Sequence, residues 1–187
     1  MPPSLIYQSA ASAIRSSWVK DIEAVEHPVH VTSSPSGWTN NDIGLAWLEQ
    51  VFDRYNEEKA RQSYQLLVLD DHGSHVTMDS KEYCDQNKIL LAFFPPHFTH
   101  TLQPLDVCMF QPLSQAYSNE LSTFLERSQG LSPIKKGDFF PLFWKVWVSS
   151  LKENTIINSF KATGISPLER DVILKRFIDT DPDEQGS

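Results

Sequence analysis

Residues Leu66–His75 read LLVLDDHGSH, four apolar residues that stop on two adjacent carboxylates and then a His-Gly-Ser-His turn. Tyr64 to Leu69 form a continuous apolar run of strand length, the pattern expected of a strand covered on both faces. Asp70 therefore falls where a buried strand ends. Downstream, Thr77 is placed to cap a short helix through Asp85, and KILLAFF from Lys88 gives a second two-sided apolar strand. Pro95 and Pro96 stop that strand, since neither can donate a ladder hydrogen bond.

Upstream, SLIYQ and the stretch from His27 to Ser34 read as two short extended pieces, and PSGWTNNDIGLAWLEQVFDRY as a helix. Thr39 or Asn40 caps it, Ile43, Trp47, Val51 and Phe52 share its apolar face, and it runs to about Ala60. Beyond the prolines, Leu105, Met109, Leu113, Tyr117, Leu121 and Leu125 recur every four residues, so a long helix starts near Pro104 with Asp106 in its first turn. Phe139, Phe140, Phe143, Trp144 and Trp147 mark a second amphipathic helix whose spacing says core rather than base stacking, and ENTIINSFKATGI a third that ends near Gly164. Strand, helix, strand and then several helices imply an α/β layered domain over residues 1–176, followed by an acidic, disordered tail over 177–187.

The chain has 187 residues, 40% of them hydrophobic, enough for one sizeable core. Cys84 and Cys108 form no CxxC pair, which fits a reduced intracellular protein and gives no sign of zinc. No apolar run approaches the roughly 20 residues that span a bilayer, and the start MPPSLIYQSA lacks the features of a signal peptide. A soluble protein without a membrane partner is expected. The net charge of -8 opposes phosphate binding, but unevenly: residues 111–176 carry 9 basic and 6 acidic groups, against 7 and 14 in residues 1–110.

Two strands side by side, one ended by Asp70 and the other by PPHFTH with Asp106 soon after, bring two carboxylates to the ligand-binding end of a sheet. Gathered carboxylates repel one another, and Mg²⁺ or Mn²⁺ is the hard cation that relieves this. In a two-metal site such ions activate water and stabilise a leaving oxygen during phosphodiester cleavage.

LLVLDDHGSH followed by KILLAFFPPHFTHTLQPLDVCMFQPLSQAY, with 35 residues between Asp70 and Asp106, resembles the catalytic core of the DDE superfamily endonucleases of pogo, Tigger and jerky type, the transposase branch that includes centromere protein B. SPSGWTNNDIGLAWLEQVF resembles the family's preceding segment, so the likeness spans roughly residues 2–176. The resemblance implies an RNase H-like fold, Mg²⁺- or Mn²⁺-dependent DNA strand transfer, a DNA partner rather than a small-molecule substrate, homo-oligomers as in transposases, and a nuclear location. Asp70 matches the family's second acid and Asp106 its third, each a metal ligand. The first acid belongs upstream of PPSLIY, and no residue here matches it; Asp21, Glu23 and Glu26 lack the strand context. The family's helix-turn-helix domains are also absent, and Asp71 stands where the family has a small residue.

An inactive or very weak nuclease is therefore expected, and a non-enzymatic nucleic-acid- or protein-binding module is the competing reading. His72 and His75 either touch phosphate or the metal's outer shell, or order their loop through imidazole hydrogen bonds. His97 and His100 belong to a rigid turn, with Gln103 near the site by resemblance. Lys135 and Lys136 are the phosphate contacts expected outside these loops.

Overall fold

The structure, a computed structural model, describes residues 1–61, 63–70, 76–129 and 133–178. The chain divides into two compact units, Met1–Phe93 and Phe94–Ser187.

In the first unit, β1 (Ser4–Gln8) pairs in parallel with β2 (His30–Ser34), Leu5 opposite Val31 and Tyr7 opposite Ser33. Successive strand side chains alternate faces, and in β1 it is Leu5 and Tyr7 that are buried. Tyr7 stacks on Trp18, their ring centroids 5.7 Å apart.

The helix expected up to Ala60 is present, in three consecutive segments: α1 (Asn41–Trp47), a π-helical stretch (Leu48–Asp53) and α2 (Arg54–Ala60). Asn40 is the cap, its Oδ1 accepting from the Ile43 N–H at 2.9 Å. Leu48, Val51, Phe52 and Asp53 of this wider π turn are all buried. Arg61, in the left-handed conformation at φ 47°, ends α2.

β3 (Gln65–Leu69), α3 (Met78–Gln86) and β4 (Ile89–Phe93) follow, with Thr77 capping α3 as expected. β3 and β4 are parallel, from Gln65 opposite Ile89 to Leu69 opposite Phe93. Leu67 and Ile89 close a core with Leu48, Phe52 and Cys84. The expectation that these strands are covered on both faces is corrected. Leu66 and its register partner Leu90 lie on the other face, 59% and 50% exposed. Their apolar runs look two-sided because hydrophobicity alone does not say whether a second layer covers the sheet. The four strands form two separate two-stranded sheets.

The second unit is helical among its described residues. α4 (Thr99–Leu102) and a π-helical turn (Leu105–Met109) lead into α5 (Phe110–Arg127), followed by α6 (Lys136–Ser150), α7 (Glu153–Ala162) and α8 (Arg170–Ile178). The stripe read as one continuous face is corrected at its start. The π turn shifts the phase, so Met109 is buried while Leu105 is 41% exposed.

α5 and α6 pack through Tyr117 against Phe139, and rings at four-residue spacing continue along α6 through Phe143 to Trp147. Of this aromatic cluster Phe140 is buried, as is Val146 beside it, while Phe139, Phe143, Trp144 and Trp147 are half-buried. Gly164 ends α7 at φ +66°, with the Ile165 N–H donating to the Phe160 carbonyl. α8 is an addition to the helices expected from the sequence. Its Arg176 guanidinium donates to the Thr101 carbonyl at 3.2 Å and the Ala162 carbonyl at 2.7 Å, tying α8 to α4 and to the end of α7. Of the expected acidic tail, residues 177 and 178 end α8 and the rest lie outside the described residues.

Candidate metal and nucleic-acid site

Asp70 directly follows β3, half-buried, at the carboxyl end of a strand paired in parallel, where open α/β sheets hold ligands. It belongs to the first unit. Asp106 belongs to the second unit, where it is exposed in the first turn of the π-helical segment. π turns of this kind recur at functional positions, because the extra residue re-aims side chains without ending the helix.

Gln103 is half-buried and sits at the joint just before that turn. Its N–H donates to the Thr99 carbonyl at 2.8 Å and its own carbonyl accepts from the Val107 N–H at 3.0 Å, which fixes the backbone on both sides of Asp106. His97 and His100 are exposed in the bend after Pro95 and Pro96, where the Phe98 N–H donates to the Pro95 carbonyl. His97 takes a left-handed conformation at φ 67°, in keeping with a turn. Lys135 and Lys136 are exposed at the start of α6, and the Lys135 N–H is held at 2.8 Å by the Asp138 carboxylate. Asp71, His72 and His75 lie outside the described residues.

The donor chemistry of Asp70 and Asp106 suits a hard divalent cation. Among the described residues, however, no three His, Cys, Asp or Glu side chains gather into a cluster that could hold a metal ion.

A polar group that the sequence reading passed over lies at the other end of β3. Asp53, 7% exposed, accepts from Gln65 Nε2 at 2.7 Å and from the Tyr83 hydroxyl at 2.8 Å. Burial, reinforced by the hydrogen bond to Asp53, pushes the Tyr83 phenol well above its ordinary pKa. Burial likewise pushes the Cys84 thiol up, with Asp85 and Asp53 adding to the effect. No local pattern marked Asp53, which is turned inward by the π-helical stretch rather than by regular α spacing.

Comparison with known proteins gives a consistent family and distant relatives. A family model described as DDE superfamily endonuclease matches residues 1–160, and nucleases of that superfamily generally use divalent metals. The chain is 28% identical over 136 residues to a human protein named pogo transposable element with KRAB domain, and 27% identical to its mouse counterpart. Each match covers 70% of this chain and 22% of the relative. It is also 37% identical over 147 residues to an MFS-type transporter, clz9, of Cochliobolus lunatus, covering 79% of this chain and 16% of that protein. That name speaks of membrane transport, whereas no helix among the described residues is long and apolar enough to cross a membrane. The chain thus spans less than a quarter of the length of these relatives. No solved structure matches. Since the endonuclease model covers most of the chain, including the strand that ends at Asp70 and the turn that carries Asp106, the protein belongs to the DDE superfamily of endonucleases.

Proposed function

We propose that this chain is a transposase-derived endonuclease domain of RNase H-like ancestry, whose inherited chemistry is metal-dependent cleavage and strand transfer at DNA phosphodiesters. The supporting observation is the position of Asp70 at the carboxyl end of a parallel strand, within a family match that also contains Asp106. Asp70 takes the role of the family's second acid and Asp106 that of its third, each offering carboxylate oxygens to Mg²⁺ or Mn²⁺. Such an ion, when bound, supplies charge stabilisation at a phosphodiester and a more acidic water. Half-buried Asp70 gives a pre-positioned negative charge, and Gln103 steadies the backbone that presents Asp106. His72, His75, Gln103, Lys135 and Lys136 are the proposed DNA contacts. Nuclear location and homo-oligomer formation follow from the transposase-like family and belong to the same proposal.

Two acids of a three-acid site support little or no cleavage, so the chain alone is proposed to be inactive or very weak as a nuclease. Supercoiled plasmid incubated with the chain and Mg²⁺ is expected to stay intact. Nicking that disappears in Asp70→Asn would overturn that expectation. Metal binding has its own readout: Mn²⁺ should broaden the amide resonances of Asp70 and Asp106, and the absence of broadening at both defeats their assignment as ligands.

The exposure of Asp106 and the lack of a three-ligand cluster among the described residues favour a second reading, a domesticated non-enzymatic module that binds nucleic acid or protein. DNA affinity that falls steeply with salt marks phosphate contacts, and absent DNA binding leaves a protein partner.

A further inference from the structure

A cavity of about 470 Å³ lies where β3 and β4 begin, four strand steps from Leu69 and so about 13 Å from the end that carries Asp70. Its buried wall is made by Asp53 and Gln65. Gln65 is 8% exposed, and its Oε1 has no hydrogen-bond partner among the described residues. The orientation of this amide follows from chemistry. A carboxylate only accepts, so the NH₂ must face Asp53, which leaves the carbonyl as the unpaired end. An unpaired buried acceptor costs free energy, and native folds rarely keep one unless something else satisfies it.

Arg54, Arg61 and Lys88 also line the cavity, yet none of them reaches that oxygen. Glu57 and Glu58 face the same space, so the lining cations are matched in number by Asp53, Glu57 and Glu58. These five flanking residues are exposed, whereas the buried wall carries the unpaired Gln65 carbonyl and the Asp53 carboxylate, with Gln65 Nε2 turned to Asp53. An anion entering to that depth meets a carboxylate and an unpaired carbonyl oxygen. A cation with N–H donors meets an unpaired carbonyl and a carboxylate with spare lone pairs.

We infer that this cavity is a binding site for an organic cation bearing N–H donors, a guanidinium or an ammonium group, with Gln65 Oε1 as the accepting atom and Asp53 as the counter-charge. The site is separate from the carboxylates of the DDE family and stands whether or not they bind metal. Its occupant is either an arginine side chain of a partner protein or a free polyamine.

The test is a titration of the intact chain followed by NMR at the Gln65 side-chain amide and the Asn87 and Lys88 backbone amides. The probes are N-acetylargininamide, standing for a partner's arginine, and spermidine, standing for a free polyamine. Tetraethylammonium carries the same charge as the arginine probe without a donor, and inorganic phosphate is the anionic control. Saturable shifts are expected with at least one donor cation, and binding at least about tenfold weaker with tetraethylammonium, the loss expected for a hydrogen bond to a charged group. The tighter of the two donor probes identifies the source. Gln65→Met, which keeps the bulk and removes the acceptor, should weaken binding by a similar factor; should that variant fail to fold, the comparison on the unaltered chain decides alone. Shifts that are equal for tetraethylammonium, stronger for phosphate, or absent for both donor cations overturn the inference and leave the Gln65 carbonyl to solvent.

Discussion

Replacing Tyr83 by Phe removes one hydroxyl and leaves the ring in place, so it isolates the bond to Asp53. That bond is 2.8 Å long and ends on a carboxylate that is almost wholly buried. Hydrogen bonds to charged groups are worth about 1.5–3 kcal/mol, and Asp53 keeps its second donor, Gln65 Nε2, so a loss of about 2 kcal/mol at pH 7 is expected. With a urea m-value of about 2 kcal/mol/M, the midpoint falls by about 1 M.

The pH dependence sharpens this test. The folded state holds the Tyr83 proton above its ordinary range, so the associated stability is fully present below about pH 10, where the unfolded phenol is still protonated. Above that pH the unfolded chain releases the proton while the folded chain keeps it, and stability falls by up to about 1.4 kcal/mol per pH unit. Cys84 and Tyr117, whose pKa values are also raised, add the same alkaline loss to the unaltered chain and to the variant, so they cancel in the difference. The gap between the two proteins should therefore shrink from about 2 kcal/mol at pH 7 to well under about 1 kcal/mol at pH 11. Equal midpoints at pH 7, or a gap that stays constant to pH 11, would refute the reasoning.

Cys84 is 1% exposed with its thiol pushed up, whereas Cys108 is half-buried. Iodoacetamide at pH 8 should therefore label Cys108 in the folded chain and Cys84 only after denaturant is added, as read by peptide mass mapping. At Gly164, an added Cβ would stand 2.4 Å from the Glu169 carbonyl oxygen on a backbone at φ +66°, so Gly164→Ala should cost more than about 1 kcal/mol by chemical denaturation.

The elements that were legible in the sequence are those whose signal is local. Asn40 and Thr77 cap their helices with their own side chains, and the β3 and β4 runs are bounded by turn residues, so caps and strands fall where the residues indicate. The placement of Asp70 after β3 follows from the same boundary. What could not be read depends on neighbours distant in sequence. The inward turn of four residues at Leu48–Asp53 answers to packing, and no residue type announces it. Leu66 and Leu90 share the composition of buried strand residues but lack a second covering layer. Asp53 reads as an ordinary polar position on a helix until Gln65 and Tyr83 are brought against it from 12 and 30 residues away. α8 carries no cap as clear as Asn40, and its anchor, Arg176, acts through carbonyls of Thr101 and Ala162.

The turn at Leu105–Met109 has a consequence for length variation. A π turn accommodates one residue more than an α-helix of the same rise, so the stretch before it and the stretch after it are out of rotational step. Rewinding the same residues into regular α geometry, with none lost, would turn Asp106 by tens of degrees about the helix axis relative to Tyr117, whereas losing one residue would let the segment become regular with the flanking stretches kept nearly as they stand. The direction of this acid is then a matter of counting as much as of chemistry: the number of residues in the turn, and not the carboxylate alone, decides where Asp106 points relative to α5.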